Sequence, residues 1–314
     1  MDYTIAWICL HEDMEVAVML LDEKHNPPES LPVSDAISCA FGRINSPSGG
    51  RDIVIIGTSQ DAADSLRIGD YMRNFLEIQV SLFVGTGGSG GDPAKHDIRL
   101  GDVVVATPVD RRGTPMLQYQ YDKTIQEKTL APAVLLFPKP PLSYLTLVPI
   151  LEAEHKFEGH KINETIAAVL SKSPTAQAKY QRPVASTDRL YKPDVVHRDG
   201  DNKGCALSCG DDESKLVLRK ARPENRPDPK IHHGFIASSD RPVEDALIRD
   251  KISEENGILC FDVGAAAMVP AMSAGCLAIR GICDYSDSHR NSVWRGYAAM
   301  TAAAYTRELI ATLC

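Results

Sequence analysis

The chain alternates short apolar runs with amphipathic segments, which is the pattern of an α/β fold. Apolar runs predict buried strands at 4–10, 51–58, 78–88, 100–109, 231–238, 258–263 and 276–282. Helical spacing predicts helices at 11–25, 60–77, 242–257 and 294–313, and in the second half of 141–159. Gly257, at the end of one of these helices, is typical of a C-terminal cap.

The pattern weakens between residues 171 and 230, which are rich in Pro, Lys, Arg, Asp and Ser. Such a composition predicts an extended, partly disordered excursion on the surface. We detect no internal repeat. The sequence therefore predicts a single domain over residues 1–314, with a long surface insertion at about 171–230.

Charge and composition exclude several classes of partner. The 314 residues carry a net charge of -8. Without a basic excess, neither a nucleic-acid backbone nor an anionic membrane surface is expected as a partner. The N-terminus lacks the basic and apolar regions of a signal peptide, and no apolar run is long enough to span a bilayer. A cytoplasmic location is expected.

Cysteine usage fits a reducing compartment, because several of the eight cysteines lie inside apolar runs. Cys205 and Cys209 form the one close pair, with His197 nearby. Their spacing fits no common zinc finger, so they are expected to be free thiols in a polar loop, although a zinc site stays open. No metal or cofactor is predicted.

Several motifs, in order along nearly the whole chain, carry a resemblance to a known superfamily. They include VGTGG (84–88), IRLGDVVVA (98–106), GILCFDVGAAA (257–267) and RGICDYSDSHRNSVWRGYAAMTAAAYTREL (280–309). The chain resembles the nucleoside phosphorylases and nucleosidases, in the fungal form of the purine and uridine phosphorylase-like domain. The resemblance implies a mixed sheet, partly closed into a barrel and flanked by helices, with the site at the carboxyl ends of the strands. It also implies a homo-oligomer.

Asp284 matches the catalytic aspartate of that superfamily. An acid that protonates the departing purine relieves the negative charge that develops as the N-glycosidic bond stretches, an effect of about 10²–10⁴-fold. Apolar neighbours could keep the proton on this carboxyl group. The alternative is a structural carboxylate that caps the end of a strand.

Two further stretches match the pocket of the superfamily. Thr86, Gly87 and Gly88 correspond to the loop that lines the ribose, where glycine permits close approach. The stretch Asp262, Val263 and Gly264 departs from the usual Glu-Met-Glu. Asp262 keeps a carboxylate, whereas Gly264 lacks the carboxylate that holds ribose hydroxyls in the relatives. On a strand, positions 262 and 264 would face the same side.

The first loop contains Glu12 and Asp13 where phosphorylases carry glycine and arginine. Phosphate would be repelled there, which favours water as the nucleophile, with Asp13 or Glu12 as its general base. The alternative is that these residues only stabilise the first turn of a helix through its dipole.

These features predict hydrolysis of a purine-type nucleoside, with a nucleoside-like small molecule as the partner. Two alternatives stay open: a pocket diverted to another substrate of specialised metabolism, and a ligand sensor without activity. Fungal relatives are often fused to signalling domains. No such domain is seen here, which favours an enzyme that acts alone.

Overall fold

The computed structural model describes residues 3–29, 37–47, 49–59, 62–75, 77–108, 115–118, 124–125, 128–129, 135–136, 142–197, 205–210, 212–222, 229–268, 276–290 and 292–313. The strands are β1 (Ile5–Leu10), β2 (Glu23–His25), β3 (Ser38–Ile44), β4 (Arg51–Thr58), β5 (Val80–Ser89), β6 (Val103–Ala106), β7 (Met116–Gln118), β8 (Thr124–Ile125), β9 (Lys128–Thr129), β10 (Leu135–Leu136), β11 (Ile231–Ser239), β12 (Ile258–Val263) and β13 (Leu277–Asp284).

The helices are α1 (Met14–Met19), α2 (Ala62–Phe75), α3 (Pro93–His96), α4 (Leu142–Glu158), α5 (Ile162–Leu170), α6 (Pro174–Tyr180), α7 (Cys205–Ser208), α8 (Ala246–Asn256), α9 (Ala265–Met268) and α10 (Arg295–Ala311). Short 3₁₀ turns lie at His11–Asp13, Ala185–Thr187 and Glu213–Lys215. Among these described helices, none combines the length and apolar character needed to cross a bilayer.

One mixed sheet organises the molecule. Its strands follow the order β10-β7-β11-β6-β13-β5-β1-β4-β3-β2, and β12 pairs with both β11 and β5. Because of this double pairing, β5, β6, β11, β12 and β13 close into a five-stranded barrel, from which the rest of the sheet extends on both sides. Helices flank it. The mixed, partly closed sheet expected from the sequence is confirmed.

The buried strands arise where the sequence is continuously apolar. All residues of β1 except Leu10 are buried, and β13 is buried up to Cys283. Strands β13, β5, β1 and β4 are adjacent in this order in the centre of the sheet, and they run parallel to one another. Their carboxyl ends therefore meet at one edge, as expected for a ligand site in an α/β sheet.

The long C-terminal helix α10 packs directly against β13. Gly281 makes this close approach possible, since a Cβ atom there would overlap the backbone carbonyl of Ala298. Small residues on both sides of the contact thus bring the helix onto the barrel. The start of α10 is consequently held beside the end of β13.

Some described residues of 171–230 pack against the rest of the protein, whereas others, such as Val184 and Leu218, are exposed. Tyr180, Leu190 and Tyr191 are buried, and Trp294 Nε1 donates to Thr187 Oγ1 at 3.0 Å. Residues 198–204, 211 and 223–228 of this segment lie outside the described residues. That the segment is an insertion stays a prediction.

Cys205 begins α7, a single helical turn, and Cys209 directly follows the end of that turn. Cys209 Sγ is 3.3 Å from His197 Nδ1, and Cys205 Sγ is 3.7 Å from the carbonyl oxygen of His289. Within the described ranges, no group of three or more His, Cys, Asp or Glu side chains is arranged to hold a metal ion.

Candidate functional site

A cavity of about 530 Å³ opens where the barrel strands end. We call it the strand-end cavity. Its walls come from the ends of β1, β5, β12 and β13 and from the segment after β11. Seven of the predicted site residues line it: Glu12, Thr86, Gly87, Gly88, Asp262, Val263 and Asp284. Asp13 and Gly264 do not belong to its lining.

Asp284 ends β13 with its carboxylate at the cavity, and its side chain is only 11% exposed. Oδ1 accepts a hydrogen bond from the backbone N–H of Ser286 at 2.9 Å. Oδ2 accepts one from Arg290 Nε at 3.1 Å. The structural role and the cavity-facing position therefore coincide in one residue: Asp284 closes the turn after β13 and presents an oxygen to the cavity.

The glycines of β5 are explained first by packing. A Cβ at Gly88 would overlap Asp284 Oδ1 and Ser286 Oγ, and one at Gly87 would lie too close to Cys260 Sγ. These positions let the Asp284 turn and β12 approach β5. Contact of Gly87 and Gly88 with a ligand stays a prediction.

The acidic first loop is held by an arginine from the other end of the chain. Arg295, the first residue of α10, forms an ion pair with Glu12 and lies 3.5 Å from Asp13 Oδ1. A phosphate at this wall would thus meet a cation as well as carboxylates, which the sequence argument missed. That cation is already paired with both acids.

The two acids of this loop differ in environment. Glu12 is 57% exposed in its side chain, whereas Asp13 is 8% exposed. Asp13 Oδ2 is buried without a hydrogen-bond partner in the described part of the chain. Burial raises the pKa of Asp13, and Glu12 adds to the rise, while the charges of Arg295 and Arg280 oppose it.

Asp262 is bound to a buried arginine. Arg280 Nε donates to Asp262 Oδ2 at 2.7 Å, and the side chains are 2% and 0% exposed. Arg280 Nη1 also donates to the carbonyl oxygen of Phe83 at 2.7 Å, and the guanidinium lies 4.3 Å from the centre of the Phe83 ring. The Asp262 carboxylate, which was predicted to bind substrate, is therefore engaged within the protein.

Gly264 lies beyond the end of its strand. Strand β12 ends at Val263, and Gly264 has a φ of 109°. Its carbonyl oxygen accepts a hydrogen bond from Met268 N at 3.1 Å, which starts α9. The expectation that positions 262 and 264 face the same side of a strand is wrong, because the backbone turns here through a conformation that favours glycine.

Sequence reasoning missed the three arginines of the site, Arg280, Arg290 and Arg295. One signal was available: Arg280 is a charged residue inside the apolar run CLAIRGIC, and a buried charge requires a partner. The other two gave no comparable signal, since isolated arginines in a polar stretch are usually exposed.

Comparison with solved structures shows the fold. A 5′-methylthioadenosine/S-adenosylhomocysteine nucleosidase from Neisseria meningitidis, in complex with methylthio-immucillin-A, matches with a TM-score of 0.57, 13% identity and coverage of 98% of this chain and 99% of that one. The futalosine hydrolase of Helicobacter pylori matches with a TM-score of 0.54, 14% identity and coverage of 99% and 98%. A Streptococcus pneumoniae nucleosidase in complex with 8-aminoadenine matches with a TM-score of 0.55 and 13% identity, and the match covers 100% of both chains.

Comparison with sequences gives a different kind of relative. A nucleotide-binding leucine-rich repeat (NLR)-like protein of Hyaloscypha variabilis is 30% identical over 315 residues, which cover 98% of this chain. The chain spans only 29% of the length of that relative. No family model matches the chain.

Proposed function

Because the chain has the fold of the nucleoside phosphorylases and nucleosidases, we propose that it hydrolyses the N-glycosidic bond of a purine-type nucleoside. The observation that carries the proposal is the Asp284 carboxylate, which lies at the strand-end cavity in a turn that fixes its direction. The fold neighbours named above are nucleosidases and a hydrolase, and the Neisseria meningitidis nucleosidase was solved in complex with methylthio-immucillin-A.

Asp284 acts in this proposal as the acid that protonates the departing base. Arg290 Nε donates to Oδ2 in this arrangement, so proton donation from that oxygen requires that Arg290 move. Arg290 is 41% exposed and lies 3.3 Å from a second acceptor, Glu244 Oε1. In the proposed step, a bound base displaces Arg290 toward Glu244, Asp284 Oδ2 takes a proton from solvent, and this proton passes to the base as the N-glycosidic bond breaks, which returns Asp284 to the carboxylate.

Asp13 is the better candidate for the general base, although it does not line the strand-end cavity, so the proposal requires that a water reach its buried Oδ2 from there. A base that is to accept a proton from water must be held in place and must have a pKa nearer to the working pH than that of an ordinary carboxylate. Asp13 is buried, its pKa is raised, and Oδ2 has no competing partner among the described residues. Glu12 is exposed and bound to Arg295, and it serves to hold that arginine in place.

Water rather than phosphate is the proposed nucleophile. Phosphorolysis needs cations that can neutralise a phosphate dianion. Near the first loop, Arg295 is paired with Glu12 and Asp13, and Arg280 with Asp262. These two arginines face three carboxylates, so the local charge opposes a dianion.

A second function is favoured by two observations. Asp262 is engaged with Arg280, and Gly264 has no side chain, so neither supplies the carboxylate that would hold ribose hydroxyls. The name of the NLR-like relative refers to nucleotide binding and leucine-rich repeats and not to a reaction. The alternative is a pocket that binds another nucleoside-like molecule without cleaving it, or that converts a different substrate.

The test is incubation with adenosine, inosine, 5′-methylthioadenosine and S-adenosylhomocysteine, in phosphate-free buffer and with added phosphate. Liquid chromatography measures the free base and the sugar product. We expect free base and free sugar at a rate that phosphate does not change. Sugar 1-phosphate would overturn the hydrolytic assignment. Binding measured by calorimetry, without release of base, would favour the second function.

A further inference from the structure

The turn at the end of β13, residues 284–290 and 292–294, is strained at a residue of the strand-end cavity. We call it the cavity turn. Ser286 is buried and has a φ of 51°, a left-handed conformation that residues other than glycine rarely adopt. Such strain persists where the surrounding structure holds the backbone, so the cavity turn needs support from outside. Four of its residues line the cavity: Asp284, Ser286, Arg290 and Ser292.

Tyr285, the residue after Asp284, is held by two side chains of the segment 185–219. Its hydroxyl donates to Asp188 Oδ1 and accepts from Arg219 Nη1 at 2.6 Å. Arg219 Nη2 donates to the same Asp188 oxygen at 3.0 Å. The three side chains thus form a closed ring of hydrogen bonds, whose direction is fixed because arginine can only donate. Burial and the charge of Asp188 raise the pKa of Tyr285, so the hydroxyl keeps its proton.

This ring of hydrogen bonds is shielded from water. The side chains of Arg219 and Asp188 are 11% and 14% exposed, and Tyr285 is 5% exposed. Hydrogen bonds to charged groups are stronger than neutral ones, and a buried network in which every member has a partner is rigid. The backbone of Tyr285 is held as well, since Arg249 Nη1 donates to its carbonyl oxygen at 2.7 Å. Both the side chain and the backbone of the residue beside Asp284 are therefore fixed.

The same segment contacts the later part of the cavity turn. Ser288 Oγ accepts a hydrogen bond from His197 N at 2.9 Å. The ring of His289 stacks on that of Tyr191, with 4.0 Å between the ring centres. Tyr285, Ser288 and His289 do not belong to the described lining of the strand-end cavity. The cavity turn thus presents one set of residues to the cavity and another set to the segment.

We propose that Tyr285 is a positioning residue for Asp284, and that Asp188 and Arg219 act through it. The inference rests on the proposed function, in which the Asp284 carboxyl group protonates the departing base. When the ring of hydrogen bonds opens, the strained backbone relaxes and carries the carboxylate away from the base. A displacement of about 1 Å can reduce a rate about 10²-fold. The segment therefore affects the reaction through the direction of Asp284, without touching the substrate.

Steady-state kinetics, on the nucleoside that releases its base fastest, test this role. Tyr285→Phe keeps the aromatic ring and removes the hydroxyl, so we expect kcat to fall at least about tenfold while KM changes less than about threefold. Asp188→Ala should act in the same way. Asp188→Asn should lose less, because the amide oxygen still accepts a hydrogen bond from Tyr285. An unchanged kcat in Tyr285→Phe would overturn the proposal.

A double variant separates positioning from a general loss of stability. Because Tyr285 acts through Asp284, Tyr285→Phe/Asp284→Asn should lose no more of kcat than Asp284→Asn alone. Losses that multiply would mean that the two residues act independently, and the proposal would be wrong. Tyr3→Phe is the matched control, since Tyr3 is also 5% exposed and its hydroxyl lies 3.0 Å from His25 Nδ1. It precedes β1, at the end of that strand opposite the cavity, so its kcat should equal that of the wild type.

Hydrogen exchange tests the positioning without turnover. The backbone N–H of Ser286 donates to Asp284 Oδ1 at 2.9 Å, so its protection reports the order of the cavity turn. We expect this protection to fall at least about tenfold in Tyr285→Phe and in Asp188→Ala, and to be unchanged in Tyr3→Phe. Unchanged protection in the first two variants overturns the proposal. A wild-type protein that releases no base contradicts the proposed function, and exchange alone then decides the positioning; Asp188→Ala decides it if Tyr285→Phe does not fold.

Discussion

Asp13 combines a proposed chemical role with a cost in stability. Its pKa is raised chiefly by burial, so the native state binds this proton more tightly than the unfolded chain does. The favourable contribution of the protonated form is therefore present at low pH and is lost as the pH rises through the folded-state pKa. At neutral pH the ionised carboxylate is destabilising relative to a neutral side chain of the same shape.

Asp13→Asn is expected to raise the melting temperature at pH 7 and to lower kcat by at least tenfold. Thermal unfolding and single-turnover kinetics measure the two effects. Glu12→Gln is the matched control, because Glu12 is exposed: its kcat should fall much less. An Asp13→Asn protein with full turnover would remove Asp13 from the mechanism.

Asp284→Asn is expected to fold normally and to lose at least about 10²-fold of kcat, since the amide keeps the turn but cannot donate the proton as a carboxylic acid does. Asp287→Asn serves as a control in the same loop. Asp287 is buried and accepts from His289 N at 2.8 Å, so its replacement should reduce stability more than turnover. Equal turnover losses in both variants would argue for a general effect of loop distortion.

Single residues set the limit of what the sequence could predict about the site. The positions at strand ends followed from the motifs, and seven of nine line one cavity. The motifs did not predict which arginines pair with the acids, because Arg295 and Glu12, for example, lie 283 positions apart in the sequence. Pairing at such a separation depends on the assembled sheet.

At the scale of elements, the contact of α10 with β13 holds the site together. Gly281→Ala places a methyl group against the Ala298 carbonyl, and overpacking of this kind costs about 1–3 kcal/mol. Urea unfolding measures the loss. Gly85→Ala is the matched control, because a Cβ there would meet its nearest atom, Asp13 Oδ2, at an ordinary 3.5 Å. Equal stability of both variants would contradict this account of the packing.

Element prediction succeeded where burial is uniform and failed where it is not. The apolar strands β1, β4 and β12 match the sequence pattern closely, and Gly257 caps α8 with a φ of 71°. A single helix was predicted for residues 11–25, but the observed helix α1 ends at Met19 and the last three residues of that range form β2. Strand β3 was missed: its burial pattern is mixed, and its pairing with β2 and β4 is antiparallel and depends on tertiary context.

At the scale of the whole molecule, a buried ionic cluster connects the segment that precedes β11 to the barrel. Asp102, immediately before β6, accepts hydrogen bonds from Arg222 Nη1 at 2.7 Å, from Lys230 N at 2.9 Å and from Arg99 N at 2.9 Å. His232 Nε2 lies 2.9 Å from Oδ2. The Asp102 carboxylate thus joins three stretches of chain that are distant in sequence: residues 99–102, Arg222 and residues 230–232.

The charge state of Asp102 gives this cluster a distinct pH dependence. Burial alone would raise the pKa of Asp102, but hydrogen bonds from Arg222 and His232 outweigh it and lower the pKa to about 2. The stabilising contribution is therefore complete above the unfolded-state value of 3.8. It is lost as the pH falls toward the folded-state value.

Asp102→Asn should consequently destabilise the protein by up to about 3–5 kcal/mol at neutral pH, because the buried guanidinium of Arg222 loses one of the two carboxylate partners that the described residues provide and keeps Asp97, whose Oδ2 lies 3.3 Å from Nε. Urea unfolding measures the difference, with Asp70→Asn as the control. Asp70 pairs with Arg73 at the surface, where its side chain is 68% exposed, and such a pair contributes about 0–1 kcal/mol. The gap between wild type and Asp102→Asn should narrow as the pH falls from 4 toward 2. A difference in unfolding free energy below about 1 kcal/mol at pH 7 would contradict this account. It would mean that the attraction within the cluster only balances the cost of desolvating its charges, and that apolar packing holds the segment on the barrel.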